Sequence, residues 1–122
     1  MNILLVDDDP DIRFLAEFVL EQSGDFDVTI AETAEQANRK MQTIHFDGIL
    51  LDVILPDTSG VDFYENLLDQ QGKDAPPVVF LTAKEGDEFS DKMQALGAAG
   101  VIQKPFDPAA LPEQVLTLLT QD

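Results

Sequence analysis

Four apolar, strand-like runs in this chain each end on polar residues that a phosphoryl-transfer site would need. The side chains that follow these runs are carboxylates, a hydroxyl and an amine: Asp7, Asp8, Asp52, Thr82 and Lys104. In an open parallel sheet, ligands bind outside the carboxyl ends of the strands, because polar groups from separate strands meet there. The sequence therefore predicts one chemical site at that edge of a sheet.

The three carboxylates of this set predict a divalent cation. Asp7, Asp8 and Asp52 would repel one another, and each would raise the pKa of its neighbours unless a cation lay between them. Mg²⁺ suits such a site because it prefers oxygen ligands and keeps several coordination positions for water and phosphate. Lys104 would add a fixed positive charge. We therefore predict a Mg²⁺ site.

Asp52 is the predicted nucleophile of the set. A carboxylate can attack phosphorus and form an aspartyl-phosphate when a metal and a cation neutralise the transferred oxygens. Asp52 stands alone at the end of its strand, whereas Asp7 and Asp8 are adjacent and can share a metal. The Thr82 hydroxyl would donate to one phosphoryl oxygen, and Lys104 would pair with another.

Hydrophobic periodicity predicts five strands that alternate with five helices. The strands are predicted over residues 2–6, 26–31, 48–53, 77–82 and 100–103. Asp9 and Thr33 are predicted helix caps, and Asp107 with Pro108 repeats the cap-plus-proline start of Asp9 with Pro10. Pro112 disfavours helical backbone at the residue before it, which would delay the last helix to about that point.

This alternation predicts an α/β fold of the flavodoxin-like, doubly wound kind. We expect a five-stranded parallel sheet of order 2-1-3-4-5 with right-handed crossovers and the five helices on both faces. Its switch point lies between the first and third strands, so Asp7, Asp8 and Asp52 would flank the crevice. The length of 122 residues predicts a single domain over residues 1–122.

The composition limits the partners. With 24 acidic residues against seven basic ones, the formal net charge is −17, which predicts no direct binding to nucleic acid. Divalent cations or basic protein surfaces are better candidates. No apolar run approaches the roughly 20 residues that span a bilayer. Residues Met1 to Ile3 lead directly into a strand pattern, and the chain has no cysteine, so we expect a cytoplasmic location.

Four segments resemble the receiver domains of two-component response regulators, including chemotaxis-type regulators, and the resemblance covers essentially the whole chain. The segments are LLVDDDP at 4–10, DGILLDVILP at 47–56, FLTA at 80–83 and KPF at 104–106. The resemblance implies a domain that takes a phosphoryl group from a phosphohistidine on a sensor kinase or phosphotransfer protein. Such a domain catalyses its own phosphorylation and slow dephosphorylation, then switches conformation to signal to a partner or an output domain.

The resemblance also implies roles for single residues. Asp8 would ligate Mg²⁺ directly, Asp7 would act mainly through water, and Asp52 would bind the metal and accept the phosphoryl group. The Ile54 carbonyl would add a metal ligand. The peptide bond before Pro105 is commonly cis in the family, a geometry otherwise rare in proteins.

Two positions depart from the family pattern: Val101, and as a minor variation Ser59, where an aspartate is frequent. Val101 stands where many members carry a tyrosine or phenylalanine whose ring reports the switch. The resemblance therefore implies the phosphoryl chemistry but not the usual aromatic readout. Both a stand-alone regulator and a receiver cut from a longer protein agree with the sequence, and the oligomeric state is open.

Two rival functions stay open at the level of the residues. A phosphatase of the haloacid dehalogenase type also uses an aspartate after its first strand, in an Asp-x-Asp pattern that Asp7 and Asp9 satisfy. That fold needs room for a cap and would leave Asp52 without a role. A degenerate receiver would only bind partners, and its Lys104 would form a static ion pair with an aspartate.

Overall fold

The structure, a computed structural model, describes residues 1–83 and 87–120, except for the side chains of residues 87–89. It contains one sheet of five parallel strands in the order β2-β1-β3-β4-β5. The strands are β1 (Asn2–Val6), β2 (Asp27–Ala31), β3 (Gly48–Asp52), β4 (Val78–Thr82) and β5 (Gly100–Gln103). The predicted fold class and strand order are confirmed.

Five helices alternate with the strands, as predicted. They are α1 (Pro10–Gln22), α2 (Ala34–Thr43), α3 (Gly60–Gln71), α4 (Asp87–Ala95) and α5 (Leu111–Leu119), with a short 3₁₀ turn at Gly72–Asp74. The longest, α1, has 13 residues. Among the helices of the described ranges, none combines the length and the apolar character that crossing a membrane requires.

The helices cover both faces of the sheet. On one face, α1 and α5 bury residues such as Leu20 and Val115 against β1, β3, β4 and β5. On the other face, α2, α3 and α4 pack against the sheet, and the Tyr64 ring meets the Phe80 ring edge-on at a centroid distance of 5.6 Å. The central strands β1, β3 and β4 are buried on both sides, which explains their nearly continuous apolar sequences.

The register of the sheet aligns the strand ends that carry polar residues. Val6 pairs with Leu51, Asp52 pairs with Leu81, and Thr82 pairs with Gln103. The residues after these pairs therefore emerge at one edge of the sheet, where the first three helices also begin.

Each of those three helices begins with an oxygen side chain that accepts backbone N–H groups. Asp9 accepts from the amides of Asp11 and Ile12 at 2.9 and 3.5 Å. Thr33 accepts from the third residue of α2 at 3.1 Å, and Ser59 accepts from the third residue of α3 at 3.0 Å. The caps predicted at Asp9 and Thr33 are confirmed, and Asp9 serves the first turn of α1.

The start predicted for the last helix at Asp107 and Pro108 is wrong. The Asp107 side chain accepts from the Ala109 amide at 3.0 Å, but this contact closes only a turn. The regular helix begins at Leu111 with Pro112 in its first turn, where proline removes an N–H group that has no partner within the helix. The later start predicted from Pro112 is therefore the right one.

The polar sequence of residues 69–76 predicts a connection, but the first three of these residues belong to helix α3. It continues to Gln71 because its last polar residues lie on the exposed side, where they disturb no packing. The helix ends at Gly72, whose φ of 55° lies in the left-handed region.

Candidate functional site

Three carboxylates meet at the carboxyl edge of the sheet. Asp7, Asp8 and Asp52 each place a carboxylate oxygen within 4.8 Å of the others. Asp7 is fully buried, Asp8 is exposed, and the side chain of Asp52 is 14 % exposed. The group thus forms a shallow acidic pocket that opens to solvent on the Asp8 side.

The backbone around Asp7 explains how this buried carboxylate is held. Its amide donates to the carbonyl oxygen of Ala31 at 3.1 Å, which extends the pairing of β1 with β2 by one residue. Its Oδ1 accepts from the Asp9 amide at 2.9 Å. A buried carboxylate needs such partners, because an unpaired charge in the protein interior is costly.

Lys104 supplies the positive charge of the pocket. Its Nζ lies 2.7 Å from Asp7 Oδ2 and 3.5 Å from Asp52 Oδ1, and its side chain is only 15 % exposed. Its amide donates to the Thr82 carbonyl at 2.7 Å, which ties the residue after β5 to the end of β4. The Lys104–Pro105 peptide bond is cis.

The electrostatics of the pocket favour an added cation. Burial raises the pKa of Asp52 above its ordinary value of 3.8, and the charge of Asp7 raises it further, while Lys104 and the Ile54 amide lower it. Among the residues that the structure describes, three carboxylates face one ammonium, so this group carries a net negative charge when all three are ionised. Clustered carboxylate oxygens with an open, solvent-facing side fit a hard divalent cation such as Mg²⁺.

The other residues predicted for the site lie around this pocket. Thr82 ends β4 and is 2 % exposed. The Ile54 amide donates to Asp52 Oδ1 at 3.4 Å, and the Ile54 side chain is exposed. Val101 lies further off on β5, where it is half-buried and lines a groove of about 610 Å³ between β5 and α5.

Gly60, the first residue of α3, belongs to the site although no site predicted from the sequence includes it. A Cβ atom at this position would lie 2.1 Å from the carbonyl oxygen of Asp52, far closer than any contact allows. The Gly60 amide donates to the Val53 carbonyl at 2.6 Å and so closes the loop that follows β3. A glycine directly before an apolar helical pattern was the available signal.

Two further residues were missed, because nothing in their local sequence indicates the contacts they make. Asp57, in the same loop, accepts from the Ala34 and Glu35 amides at 3.0 and 3.1 Å. Arg13 of α1 donates to the carbonyl oxygens of Asp7 and Asp8 at 3.3 and 3.4 Å. Arg13 therefore contacts the backbone of two pocket residues, whereas Asp57 links the loop after β3 to the start of α2.

Taken as chemistry, the pocket can hold a divalent cation and present a carboxylate to an electrophile. Asp52 is partly exposed and lies beside both the acidic pair and Lys104, whose ammonium can neutralise charge on a transferred group. Asp9, the second aspartate of the Asp-x-Asp pattern, is occupied as the cap of α1. Asp52 is thus the partly exposed carboxylate that lies beside both the acidic pair and the ammonium.

Comparisons with known proteins agree with this geometry. A family model described as the response regulator receiver domain matches residues 3–116. The alkaline phosphatase synthesis transcriptional regulatory protein PhoP of Bacillus subtilis is 40 % identical over 120 residues, which cover 97 % of this chain and 48 % of PhoP. The phosphate regulon transcriptional regulatory protein PhoB of Escherichia coli is 37 % identical over 118 residues, which cover 97 % of this chain and 51 % of PhoB.

The fold is also similar to solved structures. The chemotaxis response regulator CheY4 of Vibrio cholerae superposes with a TM-score of 0.86 at 30 % identity, over 96 % of this chain and 97 % of CheY4. A receiver domain from Francisella gives a TM-score of 0.87 at 26 % identity, over 97 % of this chain and 95 % of that one. The chain therefore spans nearly all of these structures but about half of PhoP and PhoB.

Proposed function

Since the chain belongs to the family of response regulator receiver domains, we propose that Asp52 accepts a phosphoryl group from a phosphohistidine. The donor is a sensor kinase or a histidine phosphotransfer protein. One observation carries the proposal: three carboxylates meet within 4.8 Å beside Lys104, and Asp52 is the member flanked by both kinds of charge. The domain signals with the resulting aspartyl-phosphate.

The transfer needs one bond to form as another breaks. A carboxylate oxygen of Asp52 bonds to phosphorus while the bond from phosphorus to the imidazole nitrogen breaks, and that nitrogen keeps the electron pair. Lys104 Nζ, 3.5 Å from Asp52 Oδ1, pairs with an oxygen of the transferred group. The Thr82 hydroxyl donates to another of these oxygens. Water in the same position as the donor nitrogen later hydrolyses the acyl phosphate.

Asp7, Asp8, Asp52 and the Ile54 carbonyl are the proposed Mg²⁺ ligands, with Asp7 acting mainly through water. When bound, the cation neutralises charge that gathers on the transferred oxygens. The supporting observation is the excess of carboxylate over ammonium charge at the pocket. Asp7 is also needed without the cation, because it holds Lys104 at 2.7 Å.

The phosphoryl group then biases a conformational equilibrium. A ligand shifts such an equilibrium only through a differential interaction with the two states, and Thr82 moving toward the phosphoryl oxygens supplies one. Val101 replaces the usual aromatic ring on β5. We therefore assign the readout to the backbone around β4 and β5, where the Lys104 amide is bonded to Thr82.

The chain acts as a single receiver domain over residues 1–122 and passes its signal to a partner protein or an output domain. The names of PhoP and PhoB describe transcriptional regulation, and both are about twice as long as this chain. CheY4 is a chemotaxis regulator of nearly the same length. We place the exchange in the cytoplasm, a reducing compartment that the absence of cysteine fits.

Incubation with acetyl phosphate and Mg²⁺, followed by intact-mass measurement, tests this function. We expect the mass gain of one phosphoryl group in the wild type, its loss in Asp52→Asn and in the presence of EDTA, and its retention in the matched control Asp62→Asn. Multiple turnover that needs Asp7 but not Asp52 would indicate a phosphatase instead. Absence of an adduct with every donor would indicate a module that only binds partners.

A further inference from the structure

Residues 32–36 comprise the link from β2 to α2 and the first turn of α2. They contact the loop after β3 directly and the loop after β1 through Arg13. We call these residues the β2–α2 corner. On one side the corner meets Asp57 of the loop after β3. On the other side Glu32 pairs with Arg13, which is bonded to the loop after β1. The corner itself lies outside the acidic pocket.

The Asp57 contact uses both oxygens of one carboxylate. They accept from the Ala34 and Glu35 amides at 3.0 and 3.1 Å, the first two amides of α2, which have no partner within the helix. Thr33 accepts from the third at 3.1 Å. The Ala34 amide is the main cause that holds the pKa of Asp57 below its ordinary value of 3.8, so the carboxylate stays ionised at neutral pH.

The loop that contains Asp57 is held together by contacts between its own backbone groups. The Leu55 amide donates to the Thr58 carbonyl at 3.1 Å, and Ile54 forms a bridge with Ser59. The Gly60 amide closes the base of the loop on Val53. A displacement of Asp57 would therefore also displace Ile54, whose amide donates to Asp52 Oδ1.

The Arg13 contact makes a corresponding link on the other loop. Its guanidinium donates to the Asp7 and Asp8 carbonyl oxygens at 3.3 and 3.4 Å and lies 3.3 Å from a Glu32 carboxylate oxygen. The backbone of Glu32 is held in turn because its amide donates to the Gln36 side chain at 2.9 Å, while the carboxylate is 55 % exposed. The loops after β1 and β3 are thus both linked by polar contacts to the β2–α2 corner.

We propose that the β2–α2 corner sets the distances between the cation ligands. Asp57 is the positioning residue for Asp52 and Ile54, the ligands contributed by the end of β3 and the loop after it. This inference rests on the proposed function, because it concerns the same cation site. Outer partners of ligand-bearing groups commonly change metal affinity by ten-fold or more. Asp57 acts one step further out: its carboxylate holds the loop that carries Ile54 to the start of α2.

The test compares Mg²⁺ affinity between variants by calorimetric titration of the full chain. We expect Asp57→Ala to bind Mg²⁺ about ten-fold more weakly than the wild type. Asp57→Asn, which keeps one oxygen acceptor, should recover part of this loss. Thr33→Ala is the matched control: it removes a bond from the same end of α2 but leaves the Asp57 contact, so its Mg²⁺ affinity should stay within two-fold.

A second measurement uses the wild type alone. Because coupling is reciprocal, Mg²⁺ should slow hydrogen exchange at the Ala34 and Glu35 amides, although neither residue is a proposed ligand. Wild-type affinity in Asp57→Ala, or an equal loss in Thr33→Ala, would overturn the role of the corner. If Asp57→Ala does not fold, then Asp57→Asn and the exchange rates decide. A wild type that binds no Mg²⁺ would instead overturn the proposed function.

Discussion

Replacing Asp52 by asparagine should stabilise the protein when no divalent cation is present. Asparagine keeps the size and shape of the side chain but removes one negative charge from the acidic pocket. The charge of Asp52 is unfavourable there, because its pKa is raised by burial and by Asp7. The residue proposed to carry out the chemistry thus lowers the free energy of unfolding in the metal-free state.

The size of this effect follows from the distances. The repulsion between Asp52 and Asp7 acts across at most 4.8 Å and amounts to about 3.5 kcal/mol at an effective dielectric of about 20. The attraction of Lys104 across 3.5 Å is about 5 kcal/mol on the same scale, and the exposed charge of Asp8 is screened by solvent. The pKa of Asp52 is nevertheless raised, with burial as the main cause, so the cost of burying its charge outweighs the remaining attraction and leaves a net cost of roughly 1 kcal/mol.

Urea unfolding followed by circular dichroism at pH 7 measures this difference. In EDTA, Asp52→Asn should gain about 1 kcal/mol over the wild type. In saturating Mg²⁺ the gain should fall to zero or below, because the wild type then binds the cation more tightly than the variant does. Glu65→Gln, an exposed carboxylate of α3, controls for the lower net charge of the whole chain.

A loss of stability in Asp52→Asn without Mg²⁺ would refute the reasoning. It would mean that the ion pair with Lys104 outweighs both the burial of the Asp52 charge and the repulsion from Asp7, and that the pocket needs no further cation. A gain of equal size in Glu65→Gln would show that the effect belongs to the net charge of −17 and not to the pocket.

Three further outcomes are expected. Gly60→Ala should lower the free energy of unfolding by about 3 kcal/mol in urea, since its Cβ would lie 2.1 Å from the Asp52 carbonyl oxygen. Lys104→Met should lower it by about 3 kcal/mol in EDTA, because buried Asp7 loses its counterion, and Mg²⁺ should restore part of the loss. Asp57→Asn should cost about 0.5 kcal/mol at pH 7, because an exposed negative charge at the amino end of α2 is lost. Because the folded pKa of Asp57 is lowered, that difference should persist above pH 3.8 and vanish as the pH falls through the folded value, which a pH series of melting curves measures.

The sequence predicted most of the fold because its signals are local and repeated. Two predicted strands, 2–6 and 100–103, have the bounds of β1 and β5, and the other three differ by one residue at an end. The caps at Asp9 and Thr33 are local as well. The start of α5 was harder to place, since an aspartate followed by proline begins a simple turn as readily as a helix, and only packing decides between them.

The site was predictable as far as it consists of strand ends. Parallel strands bring their carboxyl ends to one edge, so the meeting of Asp7, Asp8 and Asp52 follows from topology. The contact of Asp57 with α2 does not, because it joins residues 22 and 23 positions apart through a loop whose path no pattern encodes. The need for glycine at position 60 arises because a Cβ there would lie 2.1 Å from the Asp52 carbonyl oxygen. This distance depends on the path of the backbone, which side-chain periodicity does not describe.

The capped starts of α1, α2 and α3 all lie at the edge of the sheet that carries the acidic pocket. Each helix has a macrodipole whose amino end is equivalent to about half a positive charge. These three ends offset part of the negative charge of the carboxylates at the same edge, and they do so with peptide groups instead of basic side chains. In a chain with a net charge of −17, this edge therefore repels an anionic group less than its side chains alone would.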